Sequence, residues 1–219
     1  MNTLNVLKDA ERVSTSTMSG KMKYIDAINT SPADNDFCMK MTRVKNSICG
    51  DCYSQRTMKM YPTARRRLSN NGRLLSEGTI DPLSVALGSP IVRLSAHGEL
   101  INQKHLKNLI SIVNAHPTRI FTLWTKRKNI ATKHFSTHDK PENLILIYSS
   151  KSVNIRESKP KFFDKVFTVY SKEFLGIRGN KPDASAVDIS INCGSKSCND
   201  CRKCYTKKDP DIFINEIKK

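Results

Sequence analysis

Seven cysteines stand in this chain, and their spacing is what could do chemistry. Four of them, Cys193, Cys198, Cys201 and Cys204, form one short run, "CGSKSCNDCRKC". Four thiolates that close in sequence can saturate a tetrahedral metal or the four corners of a cubane cluster. The small and polar residues between them, Gly194, Ser195, Ser197, Asn199 and Asp200, let a backbone fold around a metal. Lys196, Arg202, Lys203, Lys207 and Lys208 would offset the charge of a thiolate-ligated centre. Tightly successive C-x2-C-x2-C spacing is an iron–sulfur habit. Zinc more often takes two C-x2-C knuckles set a dozen or more residues apart.

The other three, Cys38, Cys49 and Cys52, spell C-x10-C-x2-C. Two divisions of the seven are open. One pairs Cys49 and Cys52 with Cys201 and Cys204 in a single zinc centre, or completes the first three with a histidine. The other is three plus four. It uses every cysteine and accounts for the odd number, because three ligands on a four-iron cluster leave one iron open. Closed metal sites are structural, and sites with a vacancy are catalytic.

The elements that must position these residues follow from the rest of the chain. It has 219 residues, the size of one large domain or one domain with an appendage. No apolar run is long enough to cross a membrane, and "MNTLNVLKDAERV" is no secretory signal. A reducing cytoplasm is expected, where clustered cysteines are ligands rather than disulfides. Lys and Arg outnumber Asp and Glu by 37 to 20, a formal charge of +17. That field attracts polyanions, nucleic acid first. The stretch "ARRRLSNNGR", with Arg65, Arg66 and Arg67, is either a solvated face or a phosphate contact.

Residues 23–28 read as a first strand and 29–36 as turn chemistry, with the first cysteines in the loop that follows. From Tyr53 the pattern is helical, interrupted by Pro62 and Gly72. Strands are expected at 91–95, 119–125, 143–149, 165–171 and 186–192, and helices at 104–115 and 126–135. Continuously apolar strands alternating with helices indicate parallel βα units. The expected fold is α/β, a partial, open parallel barrel of about six strands. Residues 1–192 would form it, and 193–219 would be a cysteine-rich, metal-binding segment packed on it. Sites in such folds lie at the carboxyl ends of strands.

A three-cysteine loop before the first helix, then a helix, a strand "IVRLS" and "AHGEL", resembles the S-adenosylmethionine (SAM) radical enzymes. The "RLSAHGEL" and C-x-x-C-Y motifs and the terminal cysteines look closest to uncharacterised, phage-encoded proteins of that type. The resemblance implies a [4Fe–4S] cluster on Cys38, Cys49 and Cys52, with its open iron chelating SAM. It implies an auxiliary cluster on the other four cysteines. Gly98 and Glu99 would stand where the family binds the SAM amino group. The family's usual spacing is C-x3-C-x2-C; here the first gap is ten residues, and Tyr53 follows the third cysteine instead of an aromatic preceding it.

Around this motif, His97 is expected to line the site as a proton donor or ligand. Tyr53 and Ser149 are candidate cofactor contacts, Ser149 with Ser150 by their position at a strand end. Arg93 and Ser95 share one face of their strand. Trp124 is read as core, and His105, His116, His134 and His138 as surface residues. The alternative function is a non-enzymatic, zinc- or iron–sulfur-stabilised protein that binds nucleic acid, or a phage effector.

Overall fold

The computed structural model describes residues 12–178, 181–182, 188–194 and 196–218. Its frame is a seven-stranded, mostly parallel, open sheet. The strands are β1 (Thr15–Thr17), β2 (Asp26–Ile28), β3 (Ile91–Leu94), β4 (Ile120–Thr125), β5 (Leu144–Ser149), β6 (Lys165–Tyr170) and β9 (Phe213–Ile217). They lie side by side in chain order. All neighbours from β2 onward are parallel, and β1 adds an antiparallel edge on β2. A two-residue ladder, β7 (Ile177–Arg178) with β8 (Lys181–Pro182), stands apart from this sheet.

Right-handed crossovers that always step the same way put the connecting helices on one face. Between β2 and β3 come α1 (Asp36–Met41), α2 (Tyr53–Met60) and α3 (Pro62–Glu77); α4 (Gln103–Ala115) precedes β4 and α5 (Lys128–Phe135) precedes β5. Alternate strand residues face these helices. Val92, Leu94, Phe121, Leu123, Leu144, Leu146 and Val166 pack with Leu75, Leu106, Leu109, Val113, Ile130 and Phe135 in one core. The opposite face carries Ile145, Ile147, Phe167, Val169 and Ile214, and no helix of the crossovers covers it. Ile48, Trp124, Cys193 and Cys204 pack there instead. The cysteine-rich segment, with α6 (Cys198–Cys201), lies across this second face.

Several expectations need correction. Cys38 lies on helix α1 rather than in a loop, because Asn35 caps that helix: its Oδ1 accepts from the backbone N–H of Phe37 at 3.0 Å and of Cys38 at 3.3 Å. The helical stretch breaks at Pro62, as expected, but Gly72 lies inside α3 without interrupting it. There a Cβ would meet Ile101 at 3.4 Å, so close packing outweighs the roughly 1 kcal/mol helix cost of glycine. The expected strand at 186–192 is absent over 188–192, and Ala186 and Val187 lie outside the described residues. The last parallel strand is Phe213–Ile217, so the four cysteines precede the final strand rather than follow it.

His105 and His134 are buried, not on the surface. His105 Nδ1 accepts from the Ile101 N–H at 3.1 Å, and burial, with Arg127 nearby, pushes its pKa down to about 3. His134 stacks on His138 with ring centroids 4.5 Å apart. Among the described residues no helix is long and apolar enough to cross a membrane.

Candidate functional site

The carboxyl ends of β2 to β5 converge on Glu99. The chain leaving β3 is laid against the chain leaving β2: the Ser95 N–H donates to Ile28 O at 2.9 Å, and the His97 N–H to Asn29 Oδ1 at 2.9 Å. Gly98 has φ +80°, and a Cβ there would sit 2.5 Å from the Thr30 carbonyl oxygen. Only glycine fits that turn. This is the physical reason for the glycine in "AHGEL".

Glu99 is buried, 4% exposed, where an isolated Glu after a strand would be solvated. Its Oε1 accepts from the Leu100 N–H at 2.8 Å and the Thr125 hydroxyl at 2.5 Å. Its Oε2 accepts from the Lys126 N–H at 2.7 Å. A carboxylate has about four acceptor positions, so Oε2 keeps one. The Asn35 side chain, which caps the Cys38 helix, donates to Glu99 O at 2.9 Å. One residue thus ties the first cysteine's helix to the Glu99 backbone. Lys126 Nζ donates to Ser149 Oγ at 3.1 Å, which brings Ser149 into the same group.

The loop before Cys49 is clipped to the β5–β6 connection: Ile48 N–H donates to Lys151 O and Val153 N–H to Asn46 O, both at 3.0 Å. Burial pushes the Cys38 thiol well above its ordinary pKa. The negative charge of Glu99, then Cys49 and Cys52, adds to this, and Lys126 opposes it. Burial also raises Cys49, against Lys126 and a hydrogen bond with Ser47. Cys38, Cys49, Cys52, Glu99 and Lys126 therefore share one neighbourhood.

His97 and Tyr53 flank it. Their rings lie 5.3 Å apart, Tyr53 Oη donates to Ala96 O at 2.8 Å, and His97 Nδ1 is 2.9 Å from Ser54 Oγ. Burial, and then Arg93, lower the His97 pKa.

The second set is a separate group. Burial raises Cys204 to about 12, and the thiols that act on it are Cys193, Cys198 and Cys201. Burial and Glu216 raise Cys193 to about 11. Arg93 is the leading charge that favours the thiolates of Cys198 and Cys204 against burial, and Lys21 assists at Cys193 and Cys198. Beside Cys193 a cleft of about 890 Å³ opens at the ends of β6 and β9, walled by Lys21, Asn192, Glu216 and Lys218.

All seven thiols are free. Among the described residues no three His, Cys, Asp or Glu side chains converge closely enough to chelate a single ion. The thiols in each set do lie close enough to act on one another's charge.

A family model described as Gene product 88 matches residues 5–207, a span that takes in all seven cysteines. The chain belongs to the Gene product 88 family. No curated protein and no solved structure matches it.

The sequence reading brought Gly98, Glu99, Ser149, His97 and Tyr53 to this part of the fold, and they are all there. It missed Thr125 and Lys126 as supports of the carboxylate and Asn35 as a support of the Glu99 backbone. The signal for Asn35 was the Asn-Asp pair opening a helical stretch. Arg65, Arg66 and Arg67 lie elsewhere, exposed on α3. Arg65 is ion-paired with Asp34 at 2.7 Å, and Arg67 reaches Ser16 Oγ at 3.1 Å.

Proposed function

We propose that this chain is an iron–sulfur enzyme of the SAM radical type, built on a partial parallel βα barrel with two clusters. Cys38, Cys49 and Cys52 hold a [4Fe–4S] cluster with one open iron. Cys193, Cys198, Cys201 and Cys204 hold an auxiliary cluster on the uncovered sheet face. When bound, the first cluster supplies one-electron transfer to SAM. Oε2 of Glu99, with its remaining acceptor position, receives the SAM amino group. Thr125, Leu100 and Lys126 hold that carboxylate in place before any ligand arrives. Ser149, oriented by Lys126, and Tyr53 contact the remainder of the cofactor, and His97 moves a proton at the rim. The basic surface, including Arg66 between its two engaged neighbours, draws in nucleic acid or another polyanion. A phage-encoded protein with this role would work in the host cytoplasm.

The observation that carries this reading is the three-plus-four grouping with Glu99 inside the group of three. Sequential parallel strands support it, because their carboxyl ends are where such folds place sites. Zinc is the alternative metal.

The test is anaerobic purification followed by metal analysis and SAM turnover. Brown protein with about eight iron atoms per chain that releases 5′-deoxyadenosine under reduction is the expected result. Glu99→Gln should retain its iron and lose turnover. Colourless protein with one or two zinc ions would overturn the reading.

A further inference from the structure

The face of β3 and β4 turned away from the crossover helices carries polar groups with no partner among the described residues. Arg93 sits over Trp124, its guanidinium carbon 4.2 Å from the ring centroid. One terminal nitrogen donates to Met22 Sδ at 3.2 Å, but Arg93 Nε has no partner. Trp124 Nε1 also has none, and both atoms are shut off from solvent. The buried Tyr205 hydroxyl interacts with the Arg93 side chain. An unmade buried hydrogen bond costs about 1–3 kcal/mol, so two together call for an explanation. The guanidinium and indole N–H groups can only donate. Whatever satisfies them accepts, and next to a guanidinium it is favoured if negative.

The cysteine-rich segment supplies the candidate. Tyr205, 3% exposed, packs in a small core with Ile25 and Ile91, and Cys198 and Cys204 pack against the same core. Neutral thiols accept hydrogen bonds weakly, whereas the sulfurs of an anionic cluster accept well.

We propose that Arg93, held by Trp124, is the built-in cation and hydrogen-bond donor that poises the four-cysteine centre, with Trp124 Nε1 and Tyr205 Oη as further donors to it. This rests on the reading that Cys193, Cys198, Cys201 and Cys204 hold an iron–sulfur cluster. One-electron reduction makes such a cluster more negative. A nearby cation and hydrogen bonds to its sulfurs stabilise that form and raise its potential. Arg93 is a positioning and tuning residue here, and nothing in the proposal requires it to touch substrate.

The experiment is a dithionite redox titration of the full chain, purified anaerobically and followed by electron paramagnetic resonance, with iron counted on each sample. Arg93→Met at unchanged iron content should lower one of the two midpoint potentials and leave the other in place. Arg93→Lys should restore most of the shift, and Tyr205→Phe should give a smaller one in the same direction. A merely structural role would change iron retention or melting temperature without moving the potential. If Arg93→Met sheds its iron, Arg93→Lys and Tyr205→Phe carry the measurement. Unchanged potentials in iron-loaded variants would overturn this inference alone; an iron-free wild type would overturn both it and the cluster reading.

Discussion

The two cysteine sets are held in opposite ways. The first is spread over a capped helix and a loop, gathered at strand ends around a buried carboxylate. Its neighbours are of mixed charge, Glu99 against Lys126. The second is one compact run whose cysteines pack into hydrophobic clusters on the sheet face that no crossover helix covers. Charges of both signs act here as well, Arg93 and Lys21 against Glu216, with Arg93 leading at Cys198 and Cys204. Polar, pre-organised groups at strand ends suit chemistry on a ligand. A packed run across an open face suits structure and charge storage. If this contrast holds, damage to the second set should cost the fold and damage to the first should cost the activity.

The largest expected effect follows directly. Cys204→Ser removes a proposed ligand that packs with Tyr205 and the inner sheet face. Metal binding is coupled to folding, so this variant should unfold at a markedly lower temperature. Cys38→Ser should shift the melting temperature much less. Thermal melts of the two side by side check this, and equal losses would erase the contrast.

Next comes Gly98→Ala. The new Cβ would overlap Thr30 at a positive φ, which should destabilise the protein by about 3 kcal/mol through strain and overpacking. Urea unfolding measures it. If the second set holds iron as proposed, that iron should survive at temperatures where the folded variant persists.

A frame shared by both sets should show in acid. His105 is buried and its folded pKa, about 3, lies below the ordinary 6.5. The unfolded chain therefore binds the proton more readily. The stabilisation this represents is complete above pH 6.5 and is lost as pH falls toward 3. His105→Gln should flatten stability against pH in that window, read by urea unfolding at several pH values.

The smallest effect concerns Lys218, which pairs at 2.8 Å with Asp51, the residue between Cys49 and Cys52. Both are well exposed, so Lys218→Gln should give only a slight loss of thermal stability that disappears at high salt.

Much of the frame was legible from periodicity. β3 to β6, α4 and α5 fall where apolar runs and helical spacing put them, since buried parallel strands leave continuous apolar stretches such as "LILIY". The last strand was not, because "FINEI" mixes polar and apolar residues at a sheet edge. Helix α1 was hidden because it is short and depends on one cap, Asn35. The burial of Glu99 was invisible too. It depends on Thr125 and Lys126, residues far along the chain that only the parallel register of β3 and β4 brings alongside. Gly98 was legible as a motif, but its reason, contact with Thr30, comes from the third dimension.

The central claim is that the seven cysteines form two iron–sulfur centres, one of three and one of four. The most direct measurement is iron and acid-labile sulfide in anaerobically purified wild type, Cys49→Ser and Cys201→Ser. The account predicts about eight iron atoms per chain in the wild type and about four in each variant. It also predicts that the double variant holds none. A wild type with a single zinc ion, or loss of all the iron in either single variant, would contradict it.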